Sequence, residues 1–429
     1  MLAAIGRSSL DALFEDIPET VRKRFRPLGL PSLSEMEVAA RIEDISRSSR
    51  GAASVSFLGG GIYDHYIPSV VSHVVSRSEF ATAYTPYQPE ISQGTLTAMF
   101  EFQTMIAELT GMEIANGSMY DGATALAEAA LMAERIHGRG RIAVSGALFP
   151  HLRRVLDTYA WGARVSLTEC SVDRVSGASE FEELPEELSA LIVQTPNAYG
   201  VIESLDGLKE RIGDALLIVS TYPTALGLLK PPGAFGADIV VGEGQPLGLP
   251  MGFGGPLLGL FATRKAYLRQ LPGRVAGQTV DADGAVGYVM AAQTREQHIR
   301  RARATSNICT NSALCALAAT VYLASVGGQG LQSIARRCAA AAHTLAERIQ
   351  SLPGVERAFN GPFFNEFVVR TDEAPDALRQ RSADAGFLIG PSPDEMAALG
   401  VERGFRIAVT EKRTETEIDR FVDVLGGAS

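Results

Sequence analysis

The chain has 429 residues, of which 46% are apolar and 21% charged, and its formal net charge is −10. That length favours two or three domains, and the composition is that of a globular protein. The acidic balance argues against nucleic acid or an anionic membrane as the main partner. Cys170, Cys309, Cys315 and Cys338 show no CxxC spacing, and the six histidines form no HExxH array. No metal site is expected. The start lacks a secretory apolar core and no apolar run reaches about 18 residues, so a cytoplasmic protein with reduced thiols is expected.

Residues 1–55 read as an arm with two helical pieces, Ser9–Phe14 and Ser34–Ile42, each opened by a serine cap. Residues 56–329 alternate short β-rich runs with helical stretches. The runs are Arg141–Ser145, Arg164–Thr168, Leu191–Gln194, Leu216–Ser220, Asp238–Val241 and Leu257–Thr263, with helices such as Leu152–Trp161 and Leu205–Ile212 between them. This alternation predicts an α/β domain with a mainly parallel sheet covered on both faces, its ligand crevice at the carboxyl ends of the strands. A helix from Asn311 to about Ser325 leads to a smaller α+β domain over 330–429. That unit has helices at Leu331–Leu352 and Glu415–Leu425 and strands at Glu366–Arg370 and Gly404–Val409.

Several segments concentrate chemistry. In Thr82–Gly94 two prolines and a glycine fix an extended loop bearing Tyr84, Thr85 and Tyr87, suited to a site wall, an interface or a purely structural loop. Ser118–Ala130 opens an alanine-rich helix at Gly122, whose free N–H groups could cradle a phosphate. Asp121 at its mouth opposes an anion and is itself a good N-cap, which favours a simply capped helix. Gly59-Gly60-Gly61 lacks the frame of a nucleotide loop, and His65 has no partner close in sequence. The run Arg295–Ile308 combines four arginines with Thr305, Ser306 and Asn307. An anion receptor, a solvated charge run and a helix cap all fit it.

Taken together these strings resemble one family, subunit 1 (the N-terminal half) of the glycine cleavage system P-protein, the decarboxylating glycine dehydrogenase. The resemblance rests on Phe57–Gly61, Ala83–Gly94, Glu113–Ala125, Leu229–Asp238, Gly242–Pro256 and Ile299–Ile308, and it extends from Leu10 to the last helix. It implies a pyridoxal-phosphate (PLP)-dependent transferase fold of the aspartate-aminotransferase type, fold type I. In such a fold a lysine just past the strand Asp238–Val241 would hold PLP. Gln245 and Pro246 stand there, and the nearest of the five lysines, Lys230 and Lys265, are at least fifteen residues away.

The resemblance therefore implies a homologous second subunit whose lysine carries PLP, assembled as a heterotetramer of two plus two subunits. The implied oxidoreductase reaction decarboxylates glycine and passes its aminomethyl group to the lipoyl disulfide of the H-protein. Thr305, with Ser306 and Asn307, is expected near the phosphate of the partner's PLP, and Tyr84, Thr85 and Tyr87 at the inter-subunit crevice. Arg406 lies where some relatives bind a substrate carboxylate, although it could simply pair with a nearby acid. Four positions depart from the family pattern: Phe149, Thr195, Tyr222 (where no carboxylate follows the strand) and Pro246. All surround this chain's own would-be pocket. A catalytically silent scaffold that stabilises the partner or recruits H-protein is the alternative, and a stand-alone lyase using Lys265 is a weaker one.

Overall fold

A computed structural model describes residues 1–49, 51, 53–291 and 297–427. The chain parts into two compact units, Met1–Ala53 and Ser54–Ser429. Within the first, the Ser9 segment makes one short turn, Asp11–Phe14, and the principal element is α1 (Glu35–Ser48). A capping box starts α1: Glu37 N–H donates to Ser34 Oγ at 3.4 Å and Ser34 N–H to Glu37 Oε2 at 2.8 Å, satisfying two of the helix's orphan donors. Its Met36, Val38, Ile42 and Ile45 are exposed.

After the strand Val55–Ser56 and the short helices Ser69–Val75 and Ser78–Ala81, the second unit continues with α2 (Gln93–Thr110), β1 (Ile114–Ala115), α3 (Gly122–His137), β2 (Arg141–Ser145), α4 (Pro150–Ala163) and β3 (Ser166–Cys170). Then follow β4 (Ala190–Thr195), β5 (Leu216–Thr221), β6 (Ile239–Glu243) and β7 (Gly259–Thr263). These strands form one sheet in the order β1-β7-β6-β5-β4-β2-β3, parallel except that β7 runs against both neighbours. The period of two sorts each strand between two cores. Ile142, Val144, Ile192, Ile218 and Val241 pack under α3 and α4. Ala143, Leu191, Val193, Leu217 and Val240 pack with Phe102 and Ile106 of α2 on the other side. Each such fully buried Val, Leu or Ile contributes roughly 1.5–3 kcal/mol.

The expected helices at Asn311–Ser325 and Leu331–Leu352 form one run, α5 (Ala313–Ile349), interrupted at Gly327. Gly327 adopts φ 62° and ψ 178°, which a side chain would resist. By length and composition α5 is apolar enough to cross a membrane, contrary to the sequence expectation. Its apolar residues instead serve the cores, with Ala316, Ala319 and Tyr322 under the large sheet and Ala342, Leu345 and Ile349 against a smaller one. That smaller sheet is antiparallel and comprises Val355–Arg357, β8 (Glu366–Thr371) and β9 (Gly404–Ala408), closed by α6 (Glu415–Leu425). The two sheets belong to the same compact unit. A hairpin unforeseen from the sequence, Val275–Val280 with Val286–Ala291, is also present.

Candidate functional site

A cavity lies where the parallel topology demands it, at the carboxyl ends of β4, β5 and β6. Gln194, Ser220, Thr221, Tyr222 and Glu243 line it together with Gly122, Phe149, His151 and Glu366. Its volume is about 40 Å³, against roughly 300–1,000 Å³ for small-molecule sites.

Its walls are held shut by polar contacts. Gln245, at the expected lysine position, is 1% exposed. Its amide accepts from Tyr63 N–H at 2.9 Å and donates to Tyr63 O at 3.1 Å and Leu249 O at 2.7 Å. The residue thus clips the loop around Tyr63 onto the strand end. The Tyr63 hydroxyl donates to Glu366 at 2.8 Å, and Gly60 N–H donates to the same carboxylate at 2.7 Å. Burial raises the Glu366 carboxyl, opposed by the Arg406 guanidinium and by these donors. Tyr222 stacks on Tyr63 with ring centroids 4.4 Å apart and is hydrogen-bonded to His65. The Thr195 hydroxyl accepts from Glu203 N–H at 3.1 Å, and Phe149 lies 5.0 Å beneath the Arg406 guanidinium.

Glu243, which the sequence reading passed over, ends β6. Its carboxylate accepts from Gly122 N–H at 2.9 Å, Gln245 N–H at 2.9 Å and Leu258 N–H at 3.0 Å. Burial pushes its carboxyl up to about 7 against the pull of those three donors, and neighbouring Asp121 adds to the rise. Asp121 itself caps α3 by accepting from Thr124 N–H at 2.7 Å, the capped-helix reading. No lysine lines the cavity. Lys265 and Lys230 are exposed, with Lys230 over the Phe235 ring, while Lys209 and Lys412 pair with Asp238 and Asp64. The residues present therefore do not fit covalently held PLP.

Arg406 is 1% exposed and sits between Glu366 (3.5 Å) and Glu395 (3.2 Å), so its charge is matched within the fold. Among the described residues its Nη1 has no hydrogen-bond partner. His65, expected to stand alone, is the centre of a buried network: Nδ1 meets Glu411 at 2.6 Å and Nε2 meets Tyr222, while Cys338 Sγ donates to Glu411 at 3.4 Å. The ligand atoms of His65, Cys338 and Glu411 lie within 4.8 Å of one another. Both imidazole nitrogens are already engaged in hydrogen bonds. Burial tends to raise the Glu411 carboxyl, but His65 and the Tyr66 N–H outweigh it and hold the group low.

The remaining predicted residues meet elsewhere. Thr85 and Thr310 hydroxyls are 3.3 Å apart. Arg274, which the sequence reading did not single out, is 3% exposed and donates to the Tyr87 hydroxyl at 2.9 Å and to Cys309 O at 2.6 Å. It thereby ties the tyrosine loop to the Thr305–Thr310 segment. Buried Glu128 of α3, also missed, is hydrogen-bonded by the Ser306 side chain and the Asn307 backbone, and burial raises its carboxyl. Asn307 donates to the Tyr159 hydroxyl at 3.1 Å. Thr305 is half-buried, whereas Tyr84 and Tyr87 are 80% and 54% exposed. None of these residues lines the cavity. Arg295 and Glu296 of the arginine run lie outside the described residues.

Known proteins place this geometry in context. A sequence model described as "Glycine cleavage system P-protein" matches residues 1–425. A Chlorobium limicola protein named probable glycine dehydrogenase (decarboxylating) subunit 1 is 49% identical over 99% of this chain and 96% of its own length. The Moorella thermoacetica protein of the same name is 48% identical over 100% and 96%. The solved structure of glycine decarboxylase (P-protein) of the glycine cleavage system, in inhibitor-bound form, matches with a TM-score of 0.92 at 43% identity, covering 100% of this chain and 97% of that one. Lactobacillus brevis glutamate decarboxylase, 13% identical with a TM-score of 0.69 over 95% and 96% of the two chains, shares the fold. With the PLP-dependent type I fold and the full-length match to subunit 1 relatives, this chain belongs to the glycine cleavage system P-protein family.

Proposed function

We propose that this chain is the half of a heteromeric glycine decarboxylase that holds no coenzyme, and that it completes a site built around PLP on a homologous second subunit. The observation that carries the reading is a separation. The chain's own crevice is narrow, its walls are tied by polar contacts and it lacks a lysine, while Tyr84, Thr85, Tyr87 and the Thr305–Asn307 segment lie on a different, partly exposed face.

Bound in the partner, PLP supplies an electron sink for the carbon that loses carbon dioxide. This chain's contribution is positional. Arg274 and Glu128 fix the two loops from behind: Glu128 takes the Ser306 side chain and the Asn307 N–H, and the segment so held sets the half-buried Thr305 hydroxyl at a fixed place for an anion. Tyr84 and Tyr87 present hydroxyls and ring faces that exclude water beside it. The aminomethyl carbon then passes to one sulfur of the lipoyl disulfide on H-protein, and the other sulfur leaves as a thiol. A heterotetramer of two plus two subunits in the cytoplasm accords with this division of labour.

The full chain mixed with its partner subunit, PLP, glycine and lipoylated H-protein should release carbon dioxide, and the chain alone should not. Release by the chain alone, or a borohydride-trappable adduct on it, refutes the reading. A silent scaffold is the second reading. It requires that Thr305→Ala and Tyr84→Ala leave the rate of the assembled complex unchanged.

A further inference from the structure

We propose that the Glu243 carboxyl group occupies the phosphate seat of this chain's own crevice, and that it determines which of the two homologous subunits takes the phosphorylated coenzyme. The proposal rests on the division of labour above for the identity of the other subunit. The occupied seat rests on this chain's geometry alone.

The start of a helix at the carboxyl end of a parallel sheet is the natural place for a phosphate, because free N–H groups and the helix dipole converge there. In this chain that place is the start of the 16-residue helix α3. The groups that would bind an anion are already satisfied by one: Glu243 Oε2 takes Gly122 N–H, and Oε1 takes both Gln245 N–H and Leu258 N–H. Two other segments, at Gly122 and Leu258, thus converge with the residue's own loop on one carboxyl group, as they would on the terminal oxygens of a phosphate monoester.

The backbone is fitted to this arrangement. A Cβ on Gly122 would stand 3.0 Å from Glu243 N and 3.1 Å from Glu243 Cβ, so only glycine lets the helix start approach the strand end this closely. An incoming phosphate would have to displace the Glu243 carboxyl group from its three N–H donors and would meet the adjacent Asp121, so the seat is closed by occupancy as well as by charge. Arg406, whose guanidinium lies over the crevice residue Phe149, is already paired with Glu366 and Glu395. Gln245 removes the covalent anchor and Glu243 removes the anion site. The two lie two residues apart on one loop, so a single short segment abolishes both means of holding the coenzyme.

The test uses the full chain and inorganic phosphate as the probe, followed by thermal unfolding and titration calorimetry at constant ionic strength. Wild type should show no phosphate response beyond that of chloride. Glu243→Ala vacates the seat and leaves three unsatisfied N–H groups. It should melt below wild type and be restored saturably by phosphate, and by formate, but not by chloride. Glu243→Gln keeps the seat filled and should remain insensitive to phosphate.

A folded Glu243→Ala chain that binds no phosphate overturns the proposal, and so does a wild-type response equal to the variant's. Should Glu243→Ala not fold unaided, refolding yield in phosphate against chloride decides: phosphate-dependent recovery supports the seat, and equal yields overturn it. If Glu243→Ala gains phosphate binding while the wild-type complex with the second subunit, PLP and H-protein releases no carbon dioxide, the partner reading falls and the occupied seat stands.

Discussion

The strand-end crevice and the tyrosine–threonine face are built from the same scaffold and have opposite characters. In the crevice the side chains at the strand ends are spent on their neighbours: Gln245 on Tyr63 and Leu249, and Glu243 on three backbone donors, with Arg406 beside them paired to two glutamates. On the face, buried Arg274 and Glu128 are spent on holding the loops, and the hydroxyls they hold stay partly exposed. A group fully satisfied inside its own chain has no interaction left to strengthen in a transition state, whereas a group fixed from behind and open in front does. On the proposed function, this difference is what separates a retired site from a working one.

The sharpest way to break this contrast is Arg274→Ala. Removing the guanidinium unties Tyr87 from Cys309 and lets the loops drift by about an ångström, so decarboxylation by the assembled complex should fall roughly 100-fold. Bicarbonate–glycine exchange measures it, with subunit association followed by ultracentrifugation. A loss under threefold with an intact complex would mean the face is not part of the reaction.

On the crevice side the large effect is on stability. Arg406→Ala leaves Glu366, 3% exposed, without its cation, and breaking such a buried pair costs about 3–5 kcal/mol in urea unfolding near pH 8. The cost should shrink as the pH is lowered, because Glu366, its carboxyl already raised by burial, sheds the uncompensated charge by taking up a proton. If Arg406 instead binds a substrate carboxylate, Arg406→Lys will raise KM for glycine in the complex far more than it lowers stability.

Much of this was legible in the sequence, for reasons that particular residues show. Strands β4 to β6 are buried on both faces and therefore read as unbroken apolar runs, and Asp121 announced itself as a cap. The hairpin at Val275–Ala291 escaped because Gly277, Gln278 and Thr279 blur its alternation, although Asp283-Gly284 at its turn was a usable signal. The missing lysine was plain because it concerns one position. Glu243 was hidden by that same focus, despite being an acid at the carboxyl end of a central strand. His65 reads from sequence only as a packed or solvent-bonded residue; it is packed, but its partners could not be read, since Tyr222 and Glu411 lie 157 and 346 residues away.

A subtler contrast is in pH. The Glu243 carboxyl stands at about 7 in the folded chain against 4.5 unperturbed. Between those values the folded state binds more protons than the unfolded one, so the contribution to stability is full below about pH 4.5 and is lost as pH rises towards 7. The whole shift corresponds to roughly 3 kcal/mol, of which about 2.5 kcal/mol falls between pH 5 and pH 8. Glu243→Gln should flatten the wild-type fall in unfolding free energy between pH 5 and pH 8 by that amount. An identical slope in both would place the proton elsewhere.

The smallest effect separates structural use of the crevice from catalytic use. Tyr222→Phe removes one hydroxyl that meets His65 Nε2 and leaves the ring against Tyr63. His65 keeps Glu411 at 2.6 Å, so the network loses one bond and not its charge balance. Unfolding should become easier by about 1 kcal/mol, the usual net worth of a hydrogen bond. The turnover of the assembled complex should stay within about twofold, because stabilisation lost equally from free enzyme and transition state cancels in the rate. A tenfold fall in kcat with unfolding unaltered would invert the assignment, since a hydroxyl that supports only the fold has no means of reaching the reacting carbon.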